Sequence, residues 1–530
     1  MFYSDGLLQK KQIYCIIFLR KNQRGEDMFS KVYSFGVIGI DGYVVTVETH
    51  ISGGLPGFEI VGLPDNAVKE AKERVRSAIK NNQLSFPASR ITVNLAPSDI
   101  KKTGAVYDLP VLLGILAAKG DLHPVSDKYA FAAQLSLDGS LRGVPGILPM
   151  AIKATEDGFT HFFVSRDNAN EAAIVDGLNV IPVDNIAQLV AMLKGEAEML
   201  PHTYIQKENT TEFVDFSDVK GQEEAKRAME IAAAGGHNIL MVGPPGSGKS
   251  MLAKRMPSIL PPLSKAEAMQ TTKLYSISGL INKDGGLITK RPFRSPHHSV
   301  SAAALTGGGH NAKPGEISLA NNGVLFLDEF PQFHKDVLEA LRAPLEDNVV
   351  TISRVSYTRT YPSNIMLVAA MNPCPCGYYG CENHVCSCSL TKRQNYINRI
   401  SGPMLDRIDL HVRLEDVNWE ELTSEEKAES SAEILKRVMT ARQKQTERYK
   451  GLDFDTNSNI PPKYMDKFCK VTDKASKVLE RVFKSLNLSA RSYDKVLKVA
   501  RTIADLDGRE TINEIHILEA VQYRDMDRRI

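Results

Sequence analysis

The sequence predicts a multidomain α/β protein: a mixed α+β domain, then a mainly parallel sheet covered on both faces, then a helical C-terminal block. Three observations carry this expectation. The chain has 530 residues, too many for one hydrophobic core, so two to four domains are expected. Between Asp218 and Glu415, short apolar β-type runs alternate with helical stretches, the pattern of parallel strands buried on both faces. After Asp416 the sequence becomes charged and helical, with a break at Pro461-Pro462.

Residues 1–27 read as an N-terminal extension without structure of its own, and Met28 opens the folded part. The apolar patch Ile13–Leu19 is flanked by Lys10, Lys11, Arg20 and Lys21, but no small-residue cleavage site follows, so a secretory leader is the weaker reading. Residues 28–194 form the α+β domain. Tyr43–Val47 is a β-branched run, Gly53–Gly57 a Gly/Pro turn, and Ile91–Leu95 a further strand. Ala67, Val68, Ala71, Val75, Ala78 and Ile79 share one helical stripe, with Lys69, Glu73, Arg76 and Lys80 opposite. Residues 195–217 are polar and read as a linker. Residues 218–415 form the parallel-sheet domain and 416–530 the helical one.

Composition narrows the function classes. A hydrophobic share of 43% with 24% charged residues is that of a soluble globular chain. No run approaches the roughly 18 apolar residues a spanning helix needs, so no membrane partner and a cytoplasmic location are expected. The net charge of +2 gives no bulk attraction to nucleic acid, so DNA would need a local basic surface. Arg291, Arg294, Arg354, Arg359, Lys392 and Arg393 are candidates for one, and solvated loop charge explains them equally well. His297 and His298 fit a phosphate or pore contact, or plain capping and packing.

The segment Gly243-Pro244-Pro245-Gly246-Ser247-Gly248-Lys249-Ser250 fits the Walker A pattern. Its glycines let backbone N–H groups curl toward phosphate oxygens at a helix N-terminus. Lys249 is placed to reach the β- and γ-phosphates of ATP, and Ser250 to bind Mg²⁺. The motif follows a strand-like run, Ile239–Val242, and precedes a helix. A second buried-type strand, Val324–Leu327, ends in Asp328-Glu329; beside a Walker A loop this is Walker B, with Asp328 on Mg²⁺ and Glu329 polarising the attacking water. A third, Ile365–Ala370, leads to Asn372, whose amide can orient that water or sense the γ-phosphate. Ligand groups at three carboxyl strand ends follow the rule for open α/β sheets. Phosphoryl transfer also needs a cation, for which Arg407 leads, Arg399 stands behind it and Arg491 is a second source.

Five of the seven cysteines fall within residues 374–388. That is too few for a disulfide framework and points to a reducing compartment. Cys374, Cys376, Cys386 and Cys388, with Cys381 and His384 between them, can supply a structural Zn²⁺ site. Their C-x-C spacing departs from the common C-x₂₋₄-C, and free thiols in a loop remain the alternative.

Taken together these motifs resemble the ComM/YifB family of magnesium-chelatase-like AAA+ ATPases, over about residues 28–530. The marks are Asp218–Gln222, Arg291–His298, Lys313–Ala320, Ser401–Asp409, Leu488–Tyr493 and Ala500–Ala504. The resemblance implies an AAA+ core of the helix-2-insert clade, a homo-hexameric ring and a C-terminal helical lid. It also implies that Asn372 is sensor 1, Arg407 a finger lent to a neighbouring subunit and Arg491 sensor 2. The long stretch between Ser250 and Gly323 fits inserts facing a central pore. Family members are linked to DNA branch migration during natural transformation, whereas chelatase relatives insert Mg²⁺ into a porphyrin. The first domain resembles the Lon-protease-like, ribosomal-S5-type fold. Val106 or its neighbours, and Met150, stand where the serine and lysine of a protease dyad are expected, so a DNA-binding or assembly role fits better than proteolysis.

Overall fold

The computed structural model describes residues 28–206, 214–282, 285–309, 312–354, 357–381, 384–415, 428–486 and 489–524. The expected extension 1–27 lies outside the described residues. The chain forms two compact units. One holds the described residues up to 206 together with Tyr275–Leu287, and the other holds the remainder.

The first unit is built on a seven-stranded sheet. Its elements are β1 (Met28–Ile38), β2 (Asp41–Ser52), β3 (Gly57–Val61), α1 (Asn66–Asn81), β4 (Arg90–Ala96), α2 (Asp108–Lys119), β5 (Tyr129–Ala132), α3 (Ile147–Glu156), β6 (His161–Ser165), α4 (Arg166–Ala172), β7 (Asn179–Val183) and α5 (Ile186–Lys194). The strand order is β3-β4-β2-β1-β5-β6-β7. β1 and β2 pair antiparallel over their whole length, whereas β5, β6 and β7 run parallel. The predicted stripe of α1 is buried at Val68, Ala71, Val75, Ala78 and Ile79, and Asp65 caps the helix through the Val68 N–H. Val106 and Met150 are buried apolar residues.

The polar stretch read as a linker divides. His202 N–H donates to Val180 O at 2.8 Å and Ile205 N–H to Asn170 Oδ1 at 2.8 Å, which ties residues up to 206 to the first unit. Phe216 is fully buried in the core of the second. Residues 207–213 lie outside the described residues. Polarity hid this order because the contacts run through backbone amides, which composition does not register.

The second unit carries a five-stranded, all-parallel sheet. Its elements are α6 (Glu223–Gly235), β8 (Ile239–Val242), α7 (Lys249–Ile259), α8 (Lys265–Ser278, whose end passes into the first unit), β9 (Phe293–Arg294), β10 (Gly323–Leu327), β11 (Ile365–Met371), α9 (Leu390–Ile397), β12 (Leu410–Arg413), α10 (Ser431–Arg448), α11 (Asp473–Leu486), α12 (Ala490–Leu506) and α13 (Glu514–Gln522). The order is β9-β10-β11-β8-β12, with parallel pairing throughout. The strands are almost wholly apolar and buried because helices cover both faces. An antiparallel hairpin, Val349–Arg354 with Tyr357–Pro362, precedes β11. The C-terminal helices share one apolar core with the sheet: Ile231, Met241 and Val412 belong to the same buried cluster as Val438, Val496 and Ile503.

The insert expected to face a pore is split. Part of it, Tyr275–Leu287, belongs to the first unit. There Gly146 N–H donates to Ser276 O at 3.0 Å and Leu287 N–H to Tyr204 Oη at 2.9 Å. Among the described residues no helix is long and apolar enough to cross a membrane.

Candidate nucleotide site

The parallel sheet presents three carboxyl strand ends side by side. In register, Val242 of β8 faces Met371 of β11, and Leu327 of β10 faces Ala369. The next residues, Gly243, Asn372 and Asp328, therefore emerge along one edge. Lys249, Asp328, Glu329, Gln332, Asn372 and Tyr396 line a single cleft there.

The loop Gly243–Gly248 turns from β8 into α7 with φ of 85° at Gly246 and 88° at Gly248, a left-handed setting that favours glycine. Gly243 is needed for a different reason. A Cβ there would lie 2.8 Å from Leu414 O and from Ser247 Oγ. Lys249, the first residue of α7, is buried and donates to Gly243 O at 2.8 Å and Pro244 O at 2.6 Å. Burial lowers its pKa, and the Asp328 carboxylate opposes that shift. Ser250 Oγ donates to Asp328 Oδ2 at 2.6 Å. Hydroxyl and carboxylate oxygens side by side are a donor set that suits a hard cation such as Mg²⁺.

Glu329 is exposed and sits at φ 52°, ψ 43°. This left-handed backbone costs a side-chain-bearing residue on the order of 1 kcal/mol. Strain of this kind is concentrated at functional positions. It turns the carboxylate out of line with the strand, where Glu329 Oε2 meets His298 Nδ1 at 3.2 Å. His298 is thus placed at the acid, and its neighbour His297 bonds Ser299 Oγ at 2.9 Å.

Sequence reasoning missed two lining residues. Tyr396 arrives on α9; burial pushes its hydroxyl up to about 12, and a backbone hydrogen bond from Asn372 opposes the shift. Gln332 follows Glu329 in a 3₁₀ turn and accepts from Arg399 Nη1 at 3.0 Å. Neither carries a motif: one tyrosine in a short amphipathic helix reads as core, and one glutamine in a turn reads as surface. Arg399 therefore borders the cleft.

Arg407 and Arg491 stand elsewhere. Arg407 is ion-paired with Glu346, and its Nη1 donates to Pro403 O at 3.1 Å. The Glu346 carboxyl is held below its ordinary range, first by that Arg407 bond, with Arg491 and Arg342 adding to it. Arg407 alone contacts Glu346, while Arg342 pairs with Glu339 at 2.6 Å, and none of the three arginines lines the cleft of its own chain. The candidate basic surface is reduced as well. Arg291 is taken up by Pro261 O, Glu267 and Asn322 O, and Arg294 makes a two-point pair with Glu316 at 2.6 and 2.7 Å. Arg393 stacks 4.0 Å over the Tyr379 ring, Lys392 is exposed and Arg359 lies in the hairpin. The Arg354 side chain lies outside the described residues.

The cysteine loop follows Asn372 directly. Sulfur atoms of Cys374, Cys376, Cys386 and Cys388 all lie within 4.8 Å of one another. Cys381 and His384 fall outside this set; His384 packs against Tyr378 instead, ring to ring at 4.6 Å.

Known proteins match the sequence along most of the chain. The family described as magnesium chelatase, subunit ChlI, matches residues 215–422, its ChlI C-terminal part residues 428–524, and the family described as subunit ChlI of Mg-chelatase residues 47–168. The competence protein ComM of Haemophilus influenzae is 44% identical over 94% of this chain and 97% of its own length. The uncharacterized protein YifB of Escherichia coli is 43% identical over the same shares, and an uncharacterized protein of Mycobacterium tuberculosis is 37% identical over 93% and 98%. The chain, whose strand ends offer lysine, hydroxyl, paired carboxylates and amide to one cleft and which is this closely related to these proteins, belongs to the ComM/YifB family of magnesium-chelatase-like AAA+ ATPases.

Proposed function

We propose that this chain is an ATP-hydrolysing motor that assembles as a homo-hexameric ring in the cytoplasm and remodels DNA by branch migration or strand separation. The observation that carries the hydrolytic half is the convergence of Lys249, Asp328, Glu329 and Asn372 on one cleft. In this reading Lys249 binds the β- and γ-phosphates, and Ser250 and Asp328 hold Mg²⁺, which supplies charge neutralisation on the phosphate oxygens. Glu329, oriented by His298, takes the proton of the attacking water, and Asn372 positions that water. Arg407 and Arg491 stand off their own cleft, so in this reading they complete the cleft of the next subunit. A closed ring would give every cleft its arginines, which supports the ring reading.

DNA as the substrate rests on the kinship with a competence protein. The family descriptions favour a second reading, a chelatase-type motor that drives metal insertion through a partner. The two separate in one measurement, ATP turnover with and without single-stranded and branched DNA at low salt. Stimulation by DNA, lost in Lys249→Ala, supports the DNA motor. Turnover indifferent to both DNA forms, with no DNA binding at low salt, overturns it. The four-cysteine cluster is part of the same reading, as a structural Zn²⁺ site.

A further inference from the structure

We propose that Cys374, Cys376, Cys386 and Cys388 form a zinc site that holds the nucleotide cleft in its working shape, and the second half of this inference rests on the ATPase reading above. A Zn–S bond of about 2.3 Å in tetrahedral geometry sets sulfur atoms about 3.8 Å apart. The Cys374–Cys386 and Cys376–Cys386 separations are 3.7 and 3.6 Å, and Cys374–Cys376 is 3.3 Å. The two C-x-C arms therefore fold onto each other as four corners of one small polyhedron. Spacing alone left that arrangement open.

Backbone amides point toward the sulfurs, against the burial that favours the neutral thiol at Cys374. Gly377 and Tyr379 donate toward Cys374, Tyr378 and Ser387 toward Cys376, and Cys388 N–H toward Cys386 Sγ at 3.4 Å. Four thiolates leave no open coordination position, so the metal is structural. The loop also lacks the means to fold by itself: Val385 is 96% exposed and Tyr379 43% exposed. A bound metal supplies the folding free energy that such a segment cannot draw from a core.

The loop's two ends and its Gly377 all adjoin the site. Cys374 comes two residues after Asn372, at the end of β11. Gly377 lies against the P-loop so closely that a Cβ there would be 2.6 Å from Pro245 Cδ. Cys388 is followed by Ser389, which caps α9 through the Lys392 N–H. That helix carries Tyr396 into the cleft, where the Asn372 backbone bonds it. The metal thus closes a loop whose two ends lead to Asn372 and Tyr396 of the cleft and whose Gly377 leans on the P-loop. Losing the metal frees Asn372, Pro245 and Tyr396 together.

The experiment uses the full chain purified without chelator. Elemental analysis is expected to find about one zinc per chain, retained in Cys381→Ser and Cys469→Ala and lost in Cys376→Ser and Cys386→Ser. Stripping zinc from the wild-type protein with a mercurial is expected to lower ATP turnover about 10²-fold, the scale of an ångström-sized misplacement in a catalytic site, and zinc alone should restore it. Circular dichroism on the stripped protein keeps global unfolding distinct from a local change. Active wild-type protein that holds no zinc, or holds iron, overturns the site. Stripped protein that binds a fluorescent ATP analogue and turns ATP over as before overturns the coupling. Zinc-loaded protein that neither binds nor hydrolyses ATP overturns the ATPase reading and the coupling, while its zinc content still supports the site.

Discussion

The second unit holds two clusters of ionised side chains built on opposite plans. Around Asp505, a fully buried carboxylate, every oxygen is used. Oδ1 accepts from Arg448 and, at 3.0 Å, from Arg501, and Oδ2 accepts from Arg448 at 2.8 Å and Asn457 at 2.9 Å. Close by, Asp409 bonds Lys495 at 2.9 Å and His237 at 3.2 Å, and the Thr502 hydroxyl lies 2.8 Å from His237 Nε2. In the cleft, by contrast, Glu329 is 57% exposed at its side chain and meets one imidazole nitrogen. The buried cluster joins β12 to α12 and α10 and spends its hydrogen-bonding capacity internally. The cleft keeps donors and acceptors available for a ligand. The difference teaches where each kind of mutation should register: in stability for the first, in turnover for the second.

The largest expected effect tests an arginine that belongs to neither cluster. Arg407→Ala should lower ATP hydrolysis by about 10³-fold or more while ATP still binds, measured by phosphate release and by a fluorescent nucleotide. Loss of nucleotide binding would instead make Arg407 a scaffold residue. Glu329→Gln should lower turnover by about 10²–10⁴-fold, with the denaturation midpoint shifted by no more than about 0.5 kcal/mol in stability. A large loss of stability there would erase the contrast. Asp505→Asn should do the opposite, costing about 3 kcal/mol or more in chemical denaturation because it leaves buried guanidinium groups underpaired. Below its melting temperature that variant should hydrolyse ATP as the parent does.

The smallest effect is a pH dependence of stability. Burial lowers the pKa of His237, against a smaller opposing pull from Asp409, and burial lowers His411 as well. Both are neutral in the folded chain, so below their unfolded value of about 6.5 the unfolded chain binds more protons. Stability conferred by these histidines is present above about pH 6.5 and is lost as pH falls below it. Asp409, held far below the ordinary carboxylate range despite its burial by Lys495 and His237, adds a second loss only below about pH 4. A thermal midpoint that rises between pH 7 and 5.5 would break this account.

The legible part of the molecule was the part whose chemistry needs neighbours in sequence. Gly243–Ser250 and Asp328-Glu329 declare themselves because a phosphate cradle and an acid pair must be contiguous. Asn372 followed from the strand that delivers it. Tyr396 and Gln332 did not, since a tyrosine on a short helix and a glutamine in a turn look ordinary in sequence, and His298 stood out only as one of two equal readings. Arg291 and Arg294 show the reverse error: basic in sequence, they are absorbed by Glu267 and Glu316. The strand and helix pattern of both units was readable from apolar periodicity. The discontinuity of the first unit was not, because Ser276 and Leu287 belong by sequence to the insert of the second.

That discontinuity has a bearing on how the chain is made. Glu171 is a nearly fully buried carboxyl whose pKa burial raises, and it is satisfied by the Ser276 hydroxyl, the Leu148 N–H and Asn168. Asn170 likewise donates to Gly285 O. A nascent chain that has left the ribosome only through residue 206 has the seven strands but lacks Ser276, Gly285 and Leu287. The first unit therefore completes itself only after the P-loop and its helix have been synthesised.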